Sequence, residues 1–129
     1  MRLLKGHQVA GAETTLMVGV TDLPGSGNAN HRYVIGGFDA TTNTSFEIND
    51  HIKHLAIIFQ NGTIDKGVNG VTQEALLEVC ADRLRSFQAG PFASEDNAEA
   101  LEHIELAIKA LHRRTERRVA RGVEGKEIV

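Results

Sequence analysis

A cluster of arginines near the end of the chain has the residue type and spacing to bind an anion. Its members are Arg113, Arg114, Arg117, Arg118 and Arg121. A guanidinium group forms paired hydrogen bonds with phosphate oxygens, and arginine rather than lysine at every position favours this planar recognition. The formal net charge of the chain is −3, so the basic charge is local and favours a small multivalent anion over a long duplex. The alternative is that these cations only oppose a helix dipole, for roughly a few tenths of a kcal/mol.

Helical spacing selects two of these arginines. Arg114 and Arg118 are four residues apart, so they share one face of a helix. Arg114 also follows Leu111, the last residue of an apolar stripe, by three positions. We therefore expect Arg114 and Arg118 to be the inner pair, partly buried in an interface.

Polar and aromatic residues of the same helical hairpin are further candidates for ligand contact. Asn97 lies on the apolar stripe of the second helix, where its amide suits a base or ribose edge, or completes a helix cap begun by Ser94. Phe87 and Phe92 flank the turn at Gly90 and Pro91. Either ring can belong to the core, or it can stack on a base, a contact worth about 1–3 kcal/mol.

A second group follows a glycine-rich loop that contains Gly25 and Gly27. It includes Asn30 and Arg32, and the loop either lets the backbone approach a ligand or is a plain surface loop. The loop lacks the Gly-Lys-Ser/Thr ending of a P-loop, and no helix is predicted after it.

Catalysis is not expected from these residue types. His51 and His54 form an H-x-x-H pair without the glutamate of a metalloprotease, which favours a solvated pair. The single cysteine, Cys80, excludes an internal disulfide and a cysteine zinc site, and we expect it to be buried in the first helix. The sequence therefore predicts no enzyme activity, no metal and no cofactor.

The elements that position these residues predict an α+β fold. A chain of 129 residues suits one domain, with an antiparallel β-region over residues 1–66. Strands are predicted at 14–21, at 31–38, near 44–48 and at 55–60. The Asn61-Gly62 pair predicts a tight β-hairpin turn after the last of them.

A helical hairpin is predicted over residues 67–125. Thr72 is the expected N-cap of the first helix, and Ser94 is the expected N-cap of the second. The second helix runs towards Val119 and ends at Gly122, so it is about 38 Å long. One small sheet cannot cover so long an apolar face, which predicts a partner, most simply a second copy of the chain.

The hairpin sequence resembles a helical hairpin shared by two groups of phage proteins. The run that carries this resemblance is GVNGVTQEALLEVCADRLRSFQAGPFASEDNAEALEHIELAIKALHRRTERRVARGVEG. It resembles the first Thoeris anti-defence family and a family of anti-CBASS sponges. The upstream runs GNANHRYVIGGF and IIFQNGTIDKGVNG resemble the Thoeris family specifically, and the resemblance covers residues 14 to 125.

This resemblance implies a sponge without enzyme activity. Such proteins bind glycocyclic ADP-ribose, linked 1″–2′ or 1″–3′, without cleaving it, and some members also hold CBASS cyclic oligonucleotides at separate sites. They assemble as homodimers, or as hexamers that are trimers of dimers. The positions that match their ligand contacts are Phe87, Asn97, Arg114 and Arg118, with Asn30 and Arg32 matching less closely.

The sponge reading also implies where the protein acts and which partners it lacks. The expected location is the cytoplasm of the infected bacterium, because the N-terminus shows no signal-peptide pattern and no apolar run could span a membrane. Neither nucleic acid nor membrane is an expected partner. Two alternatives remain open at this point: a hydrolase of cyclic nucleotide signals and a nucleic-acid-binding phage protein.

Overall fold

The computed structural model describes residues 1–121 and confirms the predicted α+β class. Four strands precede two long helices. The elements are β1 (Arg2–Leu4), β2 (Met17–Val20), β3 (Arg32–Gly36), β4 (His54–Ile58), α1 (Gln73–Gln88) and α2 (Glu95–Ala120). The predicted end of the second helix at Gly122 lies outside the described residues.

The chain divides into two compact units. The first is Met1–Asn61 and the second begins at Gly62, close to the predicted boundary after residue 66. The organisation as one domain stays a prediction, and each unit is described by itself below.

The first unit contains a sheet in the order β1-β2-β3-β4, with every neighbouring pair antiparallel. Val20 pairs with Tyr33, and Tyr33 pairs with Ile57. Directly opposed residues of antiparallel strands share a face, so this row places aromatic and β-branched side chains on one side of the sheet. Val20 is the most buried of them, at 3% exposure.

Two of the predicted β features are wrong. Residues 44–48 form turns, in which the Asn43 side chain accepts a hydrogen bond from Ser45 N and the Asp50 carboxylate accepts one from Glu47 N. These local bonds compete with a strand ladder for the same backbone groups. The sheet nevertheless has four strands, because it includes β1 at the start of the chain. The sequence analysis did not predict β1.

The predicted hairpin at Asn61-Gly62 is the second error. Gly62 has the expected positive φ of 92°. However, a single 3-10 turn, Ile64–Lys66, follows it instead of a strand. Asn61 does not share this positive φ, which a type I′ hairpin turn requires at both central residues. Neither the predicted turn type nor a paired strand after it is therefore formed.

In the second unit, hydroxyl caps set the starts of both helices as predicted. Thr72 Oγ1 accepts a hydrogen bond from Ala75 N at 3.1 Å, and Ser94 Oγ accepts one from Asn97 N at 3.1 Å. Each bond satisfies a backbone donor that has no partner within the helix. The turn between the helices is closed by the Gln88 amide, which donates to Ser94 O at 3.1 Å and accepts from Ser94 N at 3.0 Å.

The two helices pack through a narrow apolar face centred on Ala81, which is 0% exposed. The half-buried side chains around it are Leu76, Leu77 and Leu84 of α1 and Leu101, Ile104, Ile108 and Leu111 of α2. Cys80 is exposed, which corrects the expectation that it is buried. Adjacent positions point about 100° apart around a helix, so a face centred on Ala81 turns Cys80 outward.

An ion-pair network also links the helices. The Arg85 guanidinium contacts Glu78 of its own helix at 2.8 Å and Glu105 of α2 at 3.3 Å. These side chains are exposed, so solvent screens the network and it contributes little to stability.

A substitution at Gly37 tests the backbone packing of the sheet unit. Its φ is +87°, and a Cβ added there would lie 2.7 Å from the carbonyl carbon of Thr15. We expect Gly37→Ala to lower the free energy of unfolding by more than about 2 kcal/mol, because backbone strain adds to a clash with another backbone segment. Urea denaturation checks this.

Gly11→Ala is the matched control. Gly11 has a similar φ of +82°, but an added Cβ meets nothing within 4 Å. Strain alone predicts a loss of about 1 kcal/mol there. Equal losses for the two variants would contradict the role of close packing at Gly37.

Candidate functional site

An aromatic pair lies at the turn of the hairpin. Phe87 belongs to the last turn of α1, and its ring meets the Phe92 ring at a centroid distance of 6.2 Å and an interplanar angle of 86°. Phe87 is half-buried, whereas Phe92 is 72% exposed. The turn therefore offers a supported aromatic surface to the solvent.

Arg83 covers part of that surface. It precedes Phe87 by one helical turn, and its guanidinium carbon lies over the Phe87 ring, 5.0 Å from the centroid. The sequence reasoning missed this residue. The signal that could have found it is the i, i+4 spacing between an arginine and an aromatic residue.

Asn97 is adjacent to the aromatic pair. Its Nδ2 donates to Phe92 O at 3.2 Å, so the side chain ties the turn together and does not cap a helix N–H group. No donor to Oδ1 is found among residues 1–121. An amide oxygen accepts hydrogen bonds from amino and hydroxyl groups, which matches the exocyclic amine of adenine or a ribose hydroxyl.

The arginines lie towards the other end of α2. Arg118 is half-buried and lies on the same stripe as Asn97, whereas Arg114 is exposed. The predicted partial burial is therefore found in a single chain for Arg118 but not for Arg114. Arg117 Nε donates to Arg113 O at 3.2 Å, which keeps these two in the adjacent row.

The spacing along α2 separates the two halves of the candidate site. Asn97 and Arg114 belong to one continuous helix, so about 26 Å lies between them along the axis. One chain thus brings Phe87 and Asn97 together at the turn and holds Arg114 and Arg118 far from them.

The remaining candidates, Asn30 and Arg32, belong to the sheet unit. Asn30 Oδ1 accepts a hydrogen bond from Arg2 at 3.0 Å, and Asn30 Nδ2 donates to Asp22 O at 2.8 Å. Arg32 Nη1 donates to Thr21 Oγ1 at 2.7 Å. Both ends of the Asn30 amide therefore hold the loop, and a ligand contact by Asn30 or Arg32 stays a prediction.

Asp22 anchors the same loop. Partial burial acts to raise the pKa of its carboxyl group, but hydrogen bonds from the backbone of His31 and Arg32 and from Asn30 outweigh it, so the pKa lies below its ordinary value. The backbone N–H of His31 donates to the Asp22 carboxylate at 3.0 Å.

The histidine, cysteine and carboxylate side chains of the described residues do not gather into a group that could hold a metal ion. No cluster of three metal-ligating side chains occurs between residues 1 and 121. The rings of His51 and His54 lie 5.2 Å apart and line an open cleft of about 360 Å³ together with Phe38 and Phe46.

Neither α1 nor α2, nor any shorter helix of the described residues, has the length and apolar character of a membrane span.

These observations define a class of protein: a small antiparallel sheet followed by a long helical hairpin with an aromatic–amide turn and an arginine-rich end. Residues 51–116, just over half of the chain, match the family model described as "Acb2/Tad1, hairpin domain". The chain therefore belongs to this family, and the resemblance to the Thoeris anti-defence sponge family is confirmed.

A curated relative supports the same assignment. The chain is similar to a protein of Bacillus phage SBSphiJ7 named "Thoeris anti-defense 1", with 39% identity over 80 residues. The similar region covers 60% of this chain and 56% of the relative, so it spans little more than half of the relative's length.

The lowered pKa of Asp22 predicts a pH dependence. A carboxyl group with a depressed pKa in the folded state stabilises the fold above its unfolded pKa, and this stability is lost as the pH falls through the folded pKa. We expect wild type to lose more stability than Asp22→Asn between about pH 4 and about pH 2. Chemical denaturation across this range measures it. If the difference in the free energy of unfolding between the two proteins does not change with pH, the prediction is wrong.

Proposed function

We propose that the protein binds and sequesters glycocyclic ADP-ribose, linked 1″–2′ or 1″–3′, without cleaving it, and thereby blocks Thoeris immunity inside an infected bacterium. Membership of the Acb2/Tad1 hairpin family supports an anti-defence role. The observation that carries the choice of ligand is the arrangement of the turn, where Phe92 contacts the Phe87 ring and its backbone oxygen accepts a hydrogen bond from Asn97. The helix that begins there also bears Arg114 and Arg118.

The chemistry of the ligand suits these side chains. Glycocyclic ADP-ribose contains an adenine, two riboses and a pyrophosphate. The Phe87 ring offers a stacking surface for adenine, worth about 1–3 kcal/mol, and Asn97 Oδ1 accepts a hydrogen bond from an amino or hydroxyl group. Arg114 and Arg118 offer guanidinium groups to the pyrophosphate, and each charge-assisted bond contributes about 1.5–3 kcal/mol.

The site requires two copies of the chain. The separation of about 26 Å along α2 is much larger than a cyclic ADP-ribose. If a second α2 runs antiparallel to the first, its Arg114 and Arg118 approach Phe87 and Asn97 of the first copy. A two-fold axis then creates two equivalent sites, which agrees with the preference of soluble proteins for symmetric dimers.

The sparse packing of the hairpin supports this assembly. Ala81 is the buried apolar side chain of the described hairpin, whereas large apolar side chains remain exposed at Val79 (67%), Leu106 (50%) and Val119 (60%). Burial of such surface stabilises an assembly by about 25 cal/mol per Å². A homodimer is therefore the expected working unit.

The first test is calorimetric titration with glycocyclic ADP-ribose. We expect Phe87→Ala, Arg114→Ala and Arg118→Ala each to weaken binding at least about tenfold, because each removes a stacking or charge-assisted contact. Arg113→Ala is the matched control: it removes the same charge from the adjacent row and should change affinity less than about threefold. Unchanged affinity in all three site variants would refute the assignment.

A mixing experiment tests whether the site is shared between copies. Phe87→Ala and Arg114→Ala homodimers are both expected to bind poorly. After the two proteins are unfolded and refolded together, heterodimers should regain one intact site, because one face carries both substitutions and the other carries none. If no binding returns despite heterodimer formation, Phe87 and Arg114 do not meet across an interface.

Recovery of the bound ligand separates a sponge from a hydrolase. Sequestration predicts that heat denaturation after long incubation releases the ligand chemically unchanged, as judged by chromatography and mass spectrometry. Release of ADP-ribose or another product would assign the protein to the hydrolases. Cyclic di- and trinucleotides belong in the same binding panel.

A further inference from the structure

The guanidinium group of Arg83 contacts the Phe87 ring. It lies over the Phe87 ring at 5.0 Å from the centroid. Phe92 meets the same ring at 86°, which is an edge contact. One face of the Phe87 ring is therefore in contact with a planar cation, and a second ring contacts Phe87 in a T-shaped arrangement.

Arg83 differs in its partners from the neighbouring Arg85. The Arg85 guanidinium contacts two carboxylates, Glu78 and Glu105. No carboxylate of the described chain forms an ion pair with Arg83, which is exposed. Its contact with Phe87 is a cation–π interaction at an exposed site, where such contacts are weak, so a ligand can separate the two groups at little cost.

We infer that Arg83 is a further ligand-contacting residue, and that adenine inserts between its guanidinium and the Phe87 ring. This inference rests on the proposed binding of glycocyclic ADP-ribose. Bases stack on aromatic rings and on guanidinium planes alike, so Arg83 exchanges its contact with Phe87 for one with the base. The gap must widen from 5.0 Å to roughly two stacking distances of about 3.5 Å each, which a flexible arginine side chain accommodates.

The sandwich gives Arg83 a different role from Arg114 and Arg118. The latter are assigned to the pyrophosphate, so they contribute to the binding of any ligand that carries one. Arg83 contacts the base, so it contributes only when a base is present. Its planar group matters as well as its charge, because a lysine ammonium has no face that can stack.

The test compares four variants with wild type by calorimetry: Arg83→Ala, Arg83→Gln, Arg83→Lys and the control Arg85→Ala. The ligands are glycocyclic ADP-ribose and inorganic pyrophosphate, the latter measured by competition. For the cyclic ligand, we expect Arg83→Ala and Arg83→Gln to weaken binding about tenfold, and Arg83→Lys to recover only part of this loss. The affinity of these variants for pyrophosphate should differ from that of wild type by less than about twofold.

A ligand-free measurement supports the same test. In wild type, the Cδ protons of Arg83 should show an upfield ring-current shift in the NMR spectrum, which Phe87→Leu removes and which changes when glycocyclic ADP-ribose binds. Circular dichroism confirms that each variant folds.

Three outcomes would overturn the inference. If wild type binds the cyclic ligand and Arg83→Ala binds it equally well, Arg83 is not a contact, and the proposed function stands. If Arg85→Ala weakens binding as much as Arg83→Ala, the effect is general electrostatics. If wild type binds no glycocyclic ADP-ribose, the proposed function and the sandwich fail together.

Discussion

The close contact of α1 with α2 at Ala81 is the constraint on which the hairpin depends. A methyl side chain with no exposed surface lets the two helix backbones approach each other, and the half-buried leucines and isoleucines lie around this point. Because the helices are held there, the Gln88–Ser94 bonds can close the turn, at which both Phe87 and Asn97 contact Phe92. A larger side chain at position 81 would separate the helices and change the spacing of both groups.

The same narrow contact limits how much apolar surface one chain can bury. Folded domains are stabilised mainly by buried apolar surface, and the net balance is only about 5–15 kcal/mol. A hairpin with Ala81 as its buried centre leaves much of its apolar surface half-buried. Assembly would add the missing burial and, in the proposed dimer, would also complete the ligand site. Folding, association and binding would then be linked, because a ligand that bridges two copies stabilises both.

The sequence predicted the features that depend on local chemistry. The N-caps at Thr72 and Ser94 follow from hydroxyl side chains beside free N–H groups, and the α+β order follows from the change in periodicity near residue 67. The errors arise where local and long-range interactions compete: turn-forming Asn43 and Asp50 replaced a strand, and the packed face of α1 is centred on Ala81 instead of Cys80. The residue types of the candidate site were predictable. The separation of its halves follows from the predicted length of α2, but the geometry by which a second copy would bring them together does not follow from the sequence.

The closure of the turn by Gln88 has an evolutionary consequence. Its amide holds Ser94 by two hydrogen bonds, and the Asn97 amide bonds the backbone oxygen of Phe92. The hydrogen bonds that frame the turn therefore do not use the side chains of residues 89–93. Side chains in this segment can change, and with them the exposed surface around Phe92, while these bonds remain.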